Sequence, residues 1–277
     1  APYNTIAGEI GRSVATYSFF TEDGKFNVES FQEKSAELLD KQESLVIIIN
    51  TPAHNPTGYS LTLEDWDSVI DVLCEEAECG KAIALVIDAA YIDFAGDEEE
   101  CRRFLPKLER LPENVLAIVA YSLSKTFTLY GTRCGAMICV AKTPEIAAEF
   151  KRVCEYSSRG SWSHSAKVAQ VILSRVYGDP KLLAKIDEER EKYRNMLLAR
   201  GKAFNDAAKE CGLEIVPFDA GFFVSIPCDD PDAASRALEE EDIFLVPLAK
   251  GLRVSVASIS EEKCRMLPPY IKEAIAK

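Results

Sequence analysis

Three short runs of aliphatic and β-branched residues constrain this chain more than any other feature: LVIIIN at 45–50, AIALVIDAA at 82–90 and VLAIVAYS at 115–122. Each is long enough for a buried strand and far too short to cross a bilayer. After the first comes the turn-rich NPTG at 55–58, and Thr62 with Asp65 three residues on has the form of a capping box, which predicts a helix through about 77. Another helical stretch is expected near 98–110. Strands apolar on both faces that alternate with helices specify an α/β fold, a mostly parallel sheet with helices on both faces. The run CGAMICVA at 134–141 begins only about a dozen residues after the third strand. That is tight for a helical crossover, so this strand is expected to run antiparallel to its neighbour.

The flanks are less regular. Residues 4–11 read as a short helix, SVATYSFF at 13–20 alternates like a strand, and a DG turn at 23–24 leads to a helix over about 27–40. Long helical segments follow at about 143–156, 165–177 and 180–211. Strands are expected in LEIVP and GFFVSIP (213–227), a helix at 231–240, strands in IFLVPL (243–248) and LRVSVAS (252–258), and a last helix from about 260. This order predicts a large domain over 1–178 and a smaller α+β C-terminal domain over 179–277, joined by the long helix.

Composition excludes some functions. Thirty-two basic against 45 acidic residues leave a net charge of −13, which argues against nucleic acid or an anionic membrane as partner. Nine scattered cysteines without a CxxC pair fit reduced thiols and a cytoplasmic protein, and no secretory signal opens the chain. With two histidines a His-rich metal site is out of reach, and no metal is expected.

In parallel α/β sheets ligands sit beyond the carboxyl ends of the strands. Asn55 lies just past the first strand, Asp88 ends the second and Lys125 follows the third. The separations, 33 residues (55 to 88) and 37 residues (88 to 125), each suit one strand–helix–strand unit, so the three side chains should converge. A lysine against apolar walls loses its proton readily and becomes a nucleophile for Schiff-base chemistry. An aspartate can keep a pyridine nitrogen protonated, Asn55 and Tyr91 can donate to a phenolate oxygen, and Ser122 with Arg133 can grip a phosphate. Pyridoxal 5′-phosphate carries all four features.

The chain resembles the class I aminotransferases of the fold-type I pyridoxal-phosphate superfamily, on the aspartate and aromatic side. The resemblance rests on Asn55-Pro56-Thr57-Gly58, on Asp88-Ala89-Ala90-Tyr91, on Ser122-Leu123-Ser124-Lys125 through Arg133-Cys134-Gly135, and on Arg253-Val254-Ser255-Val256-Ala257. Any one of these is weak; four in order over nearly the whole chain are specific. The resemblance implies that Lys125 binds the cofactor and shuttles a proton, with Asp88 on the ring nitrogen. Tyr91 and Asn55 would serve the ring oxygen, and Ser122 and Arg133 the phosphate. Arg253 would clamp the substrate α-carboxylate, with help from Asn55. Arg159, in SRGSWSH, resembles a loop arginine that in dicarboxylate-specific members reaches a neighbouring subunit's site, although His164 stands where Asn is usual. A homodimer acting on an amino acid and a 2-oxo acid is implied.

The chain opens on Ala1 and not on Met, and complete family members are longer. An N-terminal portion carrying the other phosphate anchors is therefore expected to lie outside these residues, and Tyr3 is expected to follow the ring-stacking position without replacing it. Two alternatives stay open: a carbon–sulfur β-lyase on the same scaffold, and a non-catalytic chain, either an inactive truncated fragment or the sensory half of a regulator.

Overall fold

The computed structural model describes residues 3–276. A short helix α1 (Tyr3–Glu9) precedes α2 (Val28–Lys41), whose cap Asn27 accepts from the Ser30 N–H at 3.0 Å. Next come β1 (Ser44–Asn50), α3 (Leu63–Glu76), β2 (Ala82–Asp88), β3 (Val115–Ser122), the one-turn helix α4 (Leu123–Thr126) and β4 (Gly135–Val140). The capping box opens α3 as expected, with Thr62 and Asp65 satisfying each other's backbone N–H.

These strands form one sheet in the order β1-β2-β3-β4. The first three pair in parallel, with Asn50 opposite Asp88 and Asp88 opposite Ala120, so their carboxyl ends lie side by side. β4 runs antiparallel to β3, as its short connection requires. Ile49, Leu85, Ile87 and Ala117 are all but inaccessible and pack with Ile70, Leu73 and Trp66 of α3. Trp66 stacks on Phe104 with ring centroids 4.6 Å apart. Val46 and Ile48, on the other face of β1, are exposed.

Three expectations fail. SVATYSFF forms no strand; its one ladder contact is the bridge Phe20–Phe26. Its alternation is used by rings, since Tyr17 and Phe19 pack edge-on against Phe26, and Tyr17 does the same against Phe31. The stretch near 98–110 is not an α-helix but two 3-10 segments, Glu100–Arg102 and Leu105–Arg110. The Asp97 carboxylate takes the Glu99 and Glu100 N–H groups, and Pro106 can donate none. LEIVP is also not a strand, because a single bond, Val216 N–H to the Ser225 carbonyl at 2.9 Å, ties it to its neighbour before Pro217.

Three helices follow, α5 (Pro144–Ser161), α6 (Lys167–Gly178) and the long α7 (Pro180–Cys211), which ends on left-handed Gly212. The chain closes with β5 (Phe223–Pro227), α8 (Pro231–Glu239), β6 (Val246–Leu248), β7 (Gly251–Ser255) and α9 (Glu261–Ile275). The second sheet is antiparallel with β7 in the middle, and packs a second core in which Phe204, Ile226, Leu252 and Ile271 are buried. Among the described residues no helix is long and apolar enough to cross a membrane.

The NPTG loop joins the two sheets. The Gly58 carbonyl accepts from the N–H groups of Asp219 and Ala220, both at 3.0 Å, and the Ser225 hydroxyl donates to the Pro56 carbonyl at 3.0 Å. Gly58 has φ of +80°, and a Cβ there would lie 2.7 Å from the Ala220 carbonyl oxygen and inside the Phe218 ring. Gly58→Ala is therefore expected to destabilise the protein by on the order of 1–3 kcal/mol. A urea titration checks this; an unchanged midpoint would mean that the loop relaxes at no cost.

Candidate active site

Asp88 is the last residue of β2, opposite Asn50 of β1 and Ala120 of β3. Its Oδ1 accepts from the Ala90 N–H at 3.2 Å and its Oδ2 from the Tyr3 hydroxyl at 2.6 Å. Burial, followed by the bond to Asp88, raises the Tyr3 phenol, which therefore keeps its proton and acts as donor. Tyr3 was expected only to neighbour the ring-stacking position. It is instead a partner of Asp88, and no motif or period in the sequence marks it.

Lys125 sits in α4, a single turn capped by Ser122, whose hydroxyl oxygen accepts from the Ser124 N–H at 3.2 Å. Its ammonium lies 5.2 Å from the Tyr91 ring centroid and 5.7 Å from that of Tyr130. Among the described residues that amine has no ion pair and no hydrogen bond. It is held over two aromatic faces and is otherwise uncommitted. Burial pushes Tyr91 up to about 12, the Tyr130 phenol adds to the shift, and Arg253 and a hydrogen bond with Asn55 oppose it.

Arg133 adopts the left-handed conformation, φ 48°, and its Nη1 donates to the Ser124 hydroxyl at 3.3 Å and the Tyr130 carbonyl at 2.9 Å. Ser122 and Arg133 thus flank one turn with donors to spare. Arg253 belongs to the middle strand of the second sheet, between buried Leu252 and Val254, so strand alternation turns it to the opposite face. Its Nη1 donates to Asn55 Oδ1 at 3.1 Å and its guanidinium lies 4.3 Å from the Phe223 ring centroid. A second residue that sequence reasoning missed is Asn50. Its amide donates to the Asp88 carbonyl at 2.8 Å and accepts from the Asn55 N–H at 2.7 Å.

Asn55, Asp88, Tyr91, Ser122, Lys125, Arg133 and Arg253 thus gather about the carboxyl ends of β1, β2 and β3. Arg159 does not join them. It lies near the end of α5, donates to the Ser163 hydroxyl at 2.6 Å, and lines a separate cavity of about 660 Å³ with Lys151 and His164.

The chain belongs to the class I and II aminotransferase family, which matches residues 1–269. The aromatic-amino-acid aminotransferase of Pseudomonas aeruginosa is 26% identical over 279 residues, 99% of this chain and 66% of that protein. The crystal structure of an aminotransferase from Anaerococcus prevotii superposes with a TM-score of 0.97 at 39% identity, covering 100% of this chain and 68% of that one. The aromatic-amino-acid aminotransferase of Burkholderia pseudomallei, covalently bound to pyridoxal phosphate, shares the fold with a TM-score of 0.78 at 21% identity, over 99% of this chain and 66% of that one. The chain spans about two thirds of the length of the proteins it matches.

His54 packs within the loop. It stacks on Phe19 with ring centroids 5.2 Å apart, and its Nδ1 lies 2.8 Å from the Thr57 hydroxyl. Burial pushes it from 6.5 down to about 4, so the unfolded chain takes up this proton before the folded one. His54 therefore costs the protein stability as pH falls from about 6.5 to 4 and has no such effect above 6.5. The expected result is that His54→Gln flattens the fall in melting temperature across that window. Parallel profiles would contradict the assignment.

Proposed function

We propose that the protein is a pyridoxal-phosphate-dependent aminotransferase that moves an amino group between an amino acid of the aspartate, glutamate or aromatic type and a 2-oxo acid. The observation that carries this is the uncommitted Lys125 amine over Tyr91, in a crevice that also holds Asp88, Asn55 and the guanidinium of Arg253.

The residues fit the cofactor chemically. Asp88 already accepts one short hydrogen bond from a phenol, which is what a carboxylate facing a pyridine N–H must do. Tyr91, with its proton retained, and Asn55 supply donors for a ring oxygen. Ser122 and Arg133 supply a hydroxyl and a guanidinium for a phosphate. When bound, pyridoxal phosphate supplies an aldehyde that condenses with amines and a ring that withdraws electrons from the substrate α-carbon. Lys125 Nζ holds and returns the proton of that carbon, Asp88 keeps a proton on the ring nitrogen, and Arg253 orients the substrate by its carboxylate in a bidentate fork. The aminotransferase relatives weigh against carbon–sulfur elimination.

We also propose that the protein works as a cytoplasmic homodimer, that Arg159 reads a substrate side-chain carboxylate in the partner's site, and that a domain boundary falls between 178 and 179. Tests use the natural full-length protein. Adding pyridoxal phosphate should produce a visible absorption band that Lys125→Ala abolishes; its absence in the unaltered protein would overturn the proposal. Arg253→Ala should raise KM for both substrates by roughly 10- to 100-fold, the value of a charge-assisted bond. Arg159→Ala should lose glutamate turnover far more than phenylalanine turnover. Equal losses would remove its specificity role.

A further inference from the structure

A second polar cluster adjoins Lys125 and belongs to none of the roles above. Asp93 lies in the 3-10 turn Ile92–Phe94, two residues after Tyr91, and its side chain is 3% exposed. Its carboxylate accepts from the Thr126 hydroxyl at 2.5 Å and the Tyr121 hydroxyl at 2.8 Å, and pairs with Arg102. Burial alone would raise this carboxyl, but the three donors hold it below the usual carboxylate range, so it remains an anion. Thr126 is the last residue of α4 and directly follows Lys125. The Thr126 carbonyl in turn accepts from Arg190 Nε at 3.4 Å. Arg190 comes from α7, lies 5.2 Å over the Phe127 ring and pairs with Asp187 at 2.9 Å.

The physical need for such an anchor is specific. An isolated helical turn of four residues fixes more dihedrals than its hydrogen bonds reward, so α4 cannot hold its own shape. The Lys125 amine has no hydrogen bond or ion pair among the described residues and meets only two aromatic faces, which attract a cation without fixing its direction, so the backbone of α4 sets where it points. Outside the backbone, α4 is tied down by Ser122 and Arg133 on one side and by the Thr126 hydroxyl and carbonyl on the other. The Thr126 hydroxyl binds the one buried carboxylate that comes from the same loop as Tyr91.

We propose that Asp93 is a positioning residue that acts through the Thr126 hydroxyl, locking the Lys125 turn to the Tyr91 loop, with Arg190 bracing the turn from α7. The inference rests on Lys125 being the reacting amine. Asp93 touches no reacting atom; it holds the lysine and the tyrosine in one frame.

Thr126→Val, which keeps the shape and deletes the hydroxyl, tests this in the natural full-length protein, with Thr126→Ser as the conservative partner. In the cofactor-free protein, amide hydrogen exchange over 123–128 should speed up about 10-fold in Thr126→Val and stay unchanged in Thr126→Ser. In the loaded protein, Thr126→Val should lower kcat by about 10- to 100-fold, as expected for a misplaced amine. KM should change less than about 2-fold, and visible circular dichroism of the cofactor band should weaken. Thr126→Ser should restore all of these, and Asp93→Ala, which removes the acceptor, should reproduce the valine result. Asp93→Ala also strips Arg102 of its anion, so Thr126→Val decides if that variant does not fold. A Thr126→Val protein with a lower melting temperature but unchanged exchange, dichroism and kcat would overturn the proposal. If the unaltered protein forms no visible band with pyridoxal phosphate, Lys125 is not the reacting amine, and both readings fall.

Discussion

The amide of Asn50 is the pin on which the crevice depends. At the last residue of β1, it donates to the backbone of Asp88 on the neighbouring strand and accepts from the backbone of Asn55 in the loop that follows. The Asn55 side chain then accepts from Arg253 of the second sheet. Three hydrogen bonds in series therefore connect the end of the parallel sheet to the Arg253 guanidinium. Asn50 is buried, so leaving its amide unmatched would incur the full desolvation cost of the group, and the loop has a single good way to pack. The in-register pairing of β1, β2 and β3 does the rest, since it brings three successive strand ends to one level.

The electrostatics of the crevice oppose those of the whole chain. The protein carries a net charge of −13, yet Lys125, Arg133 and Arg253 bring three cations to one place. Aromatic rings hold two of them: Lys125 over Tyr91 and Tyr130, and Arg253 over Phe223. Such faces attract a cation without neutralising it, so the charges remain available to an anionic ligand. The two carboxylates nearby are handled differently. Asp88 takes hydrogen bonds from Tyr3 and Ala90 and faces the crevice, whereas Asp93 is consumed by Thr126, Tyr121 and Arg102. One is half-buried at a strand end and the other is buried among three donors.

Much of this was legible in the residues themselves. The strands that end in Asn50, Asp88 and Ser122 are continuous apolar runs bounded by turn formers, and each buries one full face against the core. The alternation of SVATYSFF and the short apolar stretch LEIVP gave no strand, because residues in a loop can bury themselves against rings or a neighbouring strand without joining a ladder. The helix expected near 98–110 fails for a local reason, the Asp97 cap and Pro106.

Residue order settled the fold class, the motif residues at the strand ends and the antiparallel turn of β4, because those follow from apolar periodicity and short connections. Which groups touch was settled only by closure of the chain. Tyr3 meets Asp88 across 85 residues and Arg253 meets Asn55 across 198, and neither contact leaves a periodic or spacing signature. Arg159, by contrast, carried a motif and yet stands apart from the crevice. Local pattern reports which face of an element is buried. Which side chains then share a site depends on how distant elements pack, and loop closure over such distances is not encoded in any short stretch.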